Sequence, residues 1–122
     1  MIGNDDIYYT HGHCAVFALA LHRVFGYPIC ILLINDSYPI PVSNEEKGIA
    51  HAFCEIDDNA IDASGVKSLT DMLEKYYFNE QVYCTEDQLI NHNYKGKKII
   101  CKSETDKAIE IIIQCPQKYK IT

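Results

Sequence analysis

The stretch from Gly12 to Ile34 constrains this chain more than any other. Val16, Phe17, Leu19, Ala20 and Val24, with the alanines among them, recur at the spacing of a helix face, so a helix is predicted over 12–25. Gly26 supplies a left-handed stop and Pro28 enforces it. Ile29 to Ile34 then has the length of a strand and no polar face, which predicts burial on both sides of a sheet. A helix and a two-sided buried strand so close in sequence call for helices layered on a sheet. At 122 residues the chain has the length of a single domain, 1–122, able to bury roughly two-thirds of its unfolded surface.

The rest of the chain fits that plan. Tyr38 to Pro41 and Ser43 to Glu46 read as a polar surface loop with two prolines. Ile49 to Ile56 and Ala60 to Ala63 read as a β-hairpin across Asp57-Asp58-Asn59, closed by Ser64-Gly65. Ser68 has the character of a helix N-cap, with Asp71 three residues on and Leu69, Met72, Leu73, Tyr76 and Tyr77 as an apolar stripe. Thr85-Glu86-Asp87-Gln88 opens a second short helix by the same signature. Lys97 to Lys102, carrying Ile99, Ile100 and Cys101, reads as a strand. Thr105 to Gln114 points both ways: Ile111-Ile112-Ile113 favours strand, while the Asp106 region and the Ala108-Ile109 spacing favour helix, which is the reading taken. The fold class expected is α+β, with the N-terminal helix packed on a small, mainly antiparallel sheet and further helices around it.

Hydrophobic residues make up 48% and charged residues 23%, the proportions of a globular domain. A net charge of -6 argues against a nucleic-acid or anionic-membrane surface, which needs a basic footprint. The longest apolar run, Ile29 to Ile34, is far short of the ~20 residues of a membrane span. The acidic start, Met1-Ile2-Gly3-Asn4-Asp5-Asp6, has neither the build of a signal peptide nor Gly at the second position. The expected location is the cytoplasm, or delivery as an effector without a classical signal. Cys14, Cys30, Cys54, Cys84, Cys101 and Cys115 are scattered, no two closer than 14 residues, so free thiols are expected rather than a redox pair or zinc knuckle.

Three residues stand apart. Cys14 falls at the first turn of the N-terminal helix, where unpaired N–H groups and the positive helix end favour thiolate. His51 begins the first hairpin strand in Ala50-His51-Ala52-Phe53-Cys54-Glu55-Ile56, and Asp62 sits in the second in Ala60-Ile61-Asp62-Ala63. A nucleophilic Cys, a His to take its proton and a carboxylate to hold the imidazole make an acyl-transfer triad. The hairpin permits this if its loop is even. With Asp57-Asp58 as the two turn residues, Ile56 opposes Asn59 and Phe53 opposes Asp62, so His51 becomes the diagonal neighbour of Asp62 on the same face. An odd loop puts the two on opposite faces. Each residue also has a plain reading: Cys14 as a core thiol, His51 as the polar edge of a strand, Asp62 as a turn residue. Glu55, on the His51 face, competes with Asp62 as partner.

The order helix-start Cys, strand-start His, next-strand Asp resembles the papain-like superfamily in its broad sense, which takes in papain-type peptidases, transglutaminase-like domains, cell-wall amidopeptidases and bacterial effector deamidases. His51-Ala52-Phe53-Cys54-Glu55 followed by Ile61-Asp62 is particularly similar to the transglutaminase-like pattern. The likeness covers Thr10 to Gly65, and Val66 to Thr122 resembles no module. It departs where Ala15-Val16, rather than an aromatic, follow Cys14, which bears on the substrate groove. The resemblance implies a papain-like minimal core with Cys14 as nucleophile, His51 as base and Asp62 as orienting residue. It also implies an oxyanion hole of the Cys14 N–H and one donor from Tyr8, Thr10, His11 or His13. The implied activity is acyl transfer from a carboxamide of a protein or peptide substrate through a thioester: deamidation or transamidation of glutamine, or peptide hydrolysis, with no cofactor.

Two other classes compete. A catalytically inactive papain-like fold would serve as a protein-binding module, for which nine tyrosines and the Tyr76-Tyr77-Phe78 cluster are suited, though those aromatics equally fit packing of a helix on the sheet. A zinc site from His11, His13, Cys14, His51 and Cys54 ranks lower, because His51 and Cys54, three apart on a strand, point to opposite faces, and no metal is expected. The base-deaminase signature is absent. Lys95-Gly96-Lys97-Lys98 reads as a solvated turn, and His22 and His92 as surface or edge residues.

Overall fold

The computed structural model describes residues 13–35, 47–94 and 97–121. The predicted loop over 38–46 and residues Tyr8, Thr10, His11 and Gly12 lie outside them. Helix α1 (Cys14–Phe25) ends where Gly26 adopts φ 76° and donates its N–H to the His22 carbonyl at 2.7 Å, a left-handed cap that glycine allows without a Cβ clash. Every residue from Ala15 to Leu21 is buried. A helix covered on all sides must lie inside the molecule, and α1 packs on one side against the sheet and on the other against α4 (Lys102–Gln114).

The sheet comprises β1 (Ile29–Ile34), β2 (Gly48–Ile56), β3 (Asn59–Asp62), β4 (Gly65–Ser68) and β5 (Glu80–Cys84), in the order β4-β3-β2-β1-β5 with antiparallel neighbours throughout. The β2–β3 hairpin turns through two residues, Asp57 and Asp58, both at positive φ (52° and 63°), so Ile56 opposes Asn59 and Cys54 opposes Ile61. Two successive positive φ values give a turn whose twist matches that of the flanking strands. This is the even loop that a same-face His51 and Asp62 require, and the β2–β3 pairing extends to Cys54 opposite Ile61.

The two faces of the sheet carry separate cores. Ile29, Ile31, Leu33, Ala52, Cys54 and Ile61 join α1, with Ala108 and Ile112 of α4. Cys30, Leu32, Phe53 and Ala60 face the other way and meet Met72 of α2 (Leu69–Glu74), with Leu69, Leu73, Tyr76 and Phe78 at the margin. The molecule is thus α+β, with α1 and then α4 to one side of the sheet and α2 to the other. The short helix α3 (Glu86–Ile90) carries the predicted capping box, Thr85 and Gln88 bonding reciprocally at 3.1 and 2.9 Å, and Ser68 caps α2 by accepting from Asp71 N–H at 3.1 Å.

Three elements differ from expectation. The chain does not leave the hairpin at Ser64-Gly65 but turns into β4, and β5 pairs along β1 as the other edge strand. Neither has a buried alternation to announce it: β4 leaves Val66 38% exposed and β5 leaves Tyr83 59% exposed. The strand expected over 97–102 shrinks to β7 (Lys97–Lys98), paired with β6 (Asn93–Tyr94), while Lys102 already begins α4. The segment from 105 to 114 is helical, with Thr105, Ala108 and Ile112 buried on one face and Ile113 left exposed. Among the described residues no helix is long and apolar enough to cross a membrane.

Candidate active site

The site lies at the middle strand of the sheet. Between Leu32 and Leu33 the β1–β2 register shifts: Leu32 opposes His51 but Leu33 opposes Ile49, leaving Ala50 as an extra residue. Such a bulge changes which face the following side chain takes. Ile49 packs with the α1 core, whereas His51, two residues on, stacks with Phe53 on the opposite face. Without the bulge the two would share a face. Cys54 goes to the α1 side, its thiol donating to the Ala18 carbonyl at 3.3 Å, so His51 and Cys54 do part as their spacing implied.

His51 is fully buried, and its Nε2 lies 2.9 Å from Asp62 Oδ2. The other carboxylate oxygen, Oδ1, accepts from the Ser64 N–H at 2.9 Å and the Ser64 hydroxyl at 2.6 Å. Burial by itself would raise the Asp62 pKa, but the bonds from His51 and Ser64 outweigh it and the net shift is downward. An ionised Asp62 accepts, so Nε2 carries the proton, and the neutral tautomer of His51 leaves Nδ1 as its base nitrogen. Nδ1 is buried and makes no aligned hydrogen bond among the described residues. Burial likewise pushes the imidazole pKa down, and Asp62 together with the nearby Cys14 thiol more than offsets this, so the net shift is upward. Cys14 is thus near enough to bear on the His51 charge, and Nδ1 is the nitrogen that Asp62 leaves unbonded.

Cys14 is the first residue of α1, half-buried against the α1-side core. His13 is the helix N-cap residue and does not cap with its side chain. Of the four proposed oxyanion donors it alone is described, half-buried beside Cys14; Tyr8, Thr10 and His11 lie outside the described residues. Glu55 does not compete for His51: its carboxylate accepts from the Tyr83 hydroxyl on the same face. The other thiols separate by environment. Cys30 and Cys54 are buried, and burial pushes the Cys30 thiol up to about 12 and Cys54 higher still. Cys84 is raised to about 11 by burial. Cys101 is exposed, and hydrogen bonds from Ser103 and the α4 N-terminal amides lower its pKa.

Two residues at the site carry no catalytic reading in the sequence, where Tyr76 reads only as part of a partner-binding or helix-packing cluster. Ser64 is signalled only by its place two residues after Asp62, the spacing of a carboxylate that bonds its own downstream backbone. Tyr76 follows the end of α2 rather than lying on its stripe, and its ring stacks on the His51 imidazole at 4.4 Å and 11°. Tyr77 beside it is 78% exposed. His22 and His92 are not simple surface residues: His22 bonds the Tyr27 carbonyl at 2.9 Å, and buried His92 bonds that of Lys47 at 2.7 Å. No group of three His, Cys, Asp or Glu side chains suited to a metal ion occurs among the described residues. No family model, no curated protein and no solved structure matches this chain.

Proposed function

We propose that this chain is a cysteine-dependent acyl-transfer enzyme of papain-like type, acting on a carboxamide with Cys14, His51 and Asp62 as its triad. The observation that carries the reading is the buried Asp62–His51 bond of 2.9 Å, which leaves the Nδ1 of a fully buried imidazole unbonded among the described residues and able to act as base. A structural histidine in a core would bond through both nitrogens or turn one to water.

The chemistry follows from these positions. Nδ1 takes the Cys14 proton, and the thiolate adds to the amide carbonyl carbon. The oxyanion meets the N–H groups at the start of α1. Collapse of the tetrahedral adduct breaks the C–N bond, and the imidazolium returns its proton to the leaving ammonia or amine. The acyl group then rests on Sγ as a thioester. Water, deprotonated by Nδ1, attacks it and expels the thiolate, giving deamidation of a glutamine side chain or cleavage of a peptide bond; an amine in place of water gives transamidation. Asp62 stays ionised throughout, fixing the tautomer and stabilising the imidazolium.

The test is incubation with a denatured, glutamine-rich protein and a fluorescent primary amine, following ammonia release, amine incorporation and peptide cleavage together. Wild type is expected to give at least one of these and Cys14→Ala none. A product formed equally by Cys14→Ala would contradict the reading.

A further inference from the structure

The triad leaves Tyr76 without a role, yet among the described residues no ring stacks closer on the imidazole. It stacks at a centroid distance of 4.4 Å and an interplanar angle of 11°, with Phe53 adding a second, more distant ring at 5.9 Å. Its position is not that of an ordinary core aromatic. Tyr76 is only half-buried, lies past the last turn of α2, and its hydroxyl makes no hydrogen bond among the described residues. What it offers the site is the face of its ring. An aromatic face carries negative quadrupole density and attracts a cation above it, more strongly where water is excluded, and the imidazole beneath is fully buried.

We propose that Tyr76 is a positioning residue: its ring fixes the plane of the His51 imidazole between Cys14 and Asp62 and supplies an electron-rich face to the imidazolium that forms when the thiol gives up its proton. This rests on the acyl-transfer reading above. The phenol itself does not exchange protons in the cycle, because burial, with the negative charges of Asp62 and Cys14 nearby, pushes it up to about 12. The charged and titratable groups that bear on the imidazole are Asp62 from β3 and Cys14 from α1; Lys67 of β4 acts on Asp62 rather than on the ring. Among the described residues Tyr76 is thus the nearer of two neutral rings, with Phe53, that favour the cation by stacking.

The experiment is the NMR titration of the His51 imidazole in wild type, Tyr76→Phe, Tyr76→Trp and Tyr76→Leu, with the His51-dependent alkylation of Cys14 measured on the same samples. In Tyr76→Leu the proton affinity of His51 is expected to fall about tenfold, moving its midpoint about one pH unit toward acid. Tyr76→Phe should stay close to wild type, and Tyr76→Trp should exceed both in proton affinity by about threefold. An unshifted midpoint in a folded Tyr76→Leu overturns the proposal, as does a Phe variant that falls as far as Leu, since the hydroxyl would then be the active part. If Leu does not fold, equal midpoints in Phe and Trp overturn it. Failure of the triad itself reads differently: Cys14 alkylation in wild type would then not depend on His51 at all.

Discussion

The Asp62–His51 pair is a charge device whose worth depends on pH in a calculable way. Asp62 has a lowered pKa, so its contribution to stability is present above the ordinary carboxylate value, about 3.9, and is lost as pH falls through the lower folded value. His51 has a raised pKa, so its contribution is full below the ordinary histidine value, about 6.5, and is lost as pH rises through the higher folded value. Asp62→Asn is therefore expected to cost about 2 kcal/mol between roughly pH 4 and 6.5, and less on either side. Urea unfolding at a series of pH values measures this; a cost that does not change with pH would contradict the charged pair. The meeting of His51 with Asp62 was legible in the sequence because the arithmetic of an even hairpin loop carries it, as was the place of Cys14 at the helix start. Ser64 and Tyr76 were not, since a serine after an aspartate and a tyrosine after a helix are commonplace until a fold sets them against a site. Glu55 was a rival to Asp62 on face alone, and the Asp62–His51 bond, with Glu55 accepting from the Tyr83 hydroxyl, decides between them.

At the scale of elements, local chemistry set what was legible. The stop at Gly26, the Ser68 and Thr85 caps and the Asp57-Asp58 turn are short-range signals and lie where the residue types put them. The edge strands β4 and β5 were not legible, because an edge strand with one face in water and polar residues along it has no periodicity to detect. The bulge at Ala50 was also hidden, although it decides the face of His51, because it arises from the pairing with β1 rather than from any local residue. Ile99 and Ile100 suggested a strand by composition, yet they pack on the α1-side core from an irregular segment. Two predictions belong here. Asp58 holds φ 63°, where a Cβ is unfavourable, so Asp58→Gly should stabilise the protein by about 0.5–1 kcal/mol, read as a higher urea midpoint. Ser68→Ala removes the acceptor of the Asp71 N–H and should cost about 1 kcal/mol by the same measurement.

Across the whole molecule, the C-terminal segment is tied to the α1–β1 connection through Tyr27. Its hydroxyl donates to the Tyr119 carbonyl at 3.3 Å and accepts from the Ile121 N–H at 3.2 Å, while Tyr119 packs its ring against Phe17 at 5.4 Å. Tyr27→Phe removes both hydrogen bonds of this hydroxyl and should lower stability by about 1–2 kcal/mol, measured by thermal or urea unfolding. The six thiols report on the same architecture. Cys30 and Cys54, buried on opposite faces of the sheet, should resist alkylation until the sheet opens, whereas exposed Cys101, with its lowered pKa, reacts from the folded state for reasons unrelated to His51. Fast labelling by itself is therefore no signature of a catalytic thiol, and the decisive comparison must remove Cys101 from view. The measurement that tests the central claim most directly is the pH dependence of Cys14 alkylation by iodoacetamide, followed by peptide mass spectrometry in a Cys101→Ser background, with and without His51→Ala. Cys14 is expected to react fast below pH 7 and His51→Ala to abolish this phase, because the reactive thiolate there is the partner of the imidazolium. A Cys14 that reacts only as the pH turns alkaline, at the same rate with or without His51, would contradict that claim.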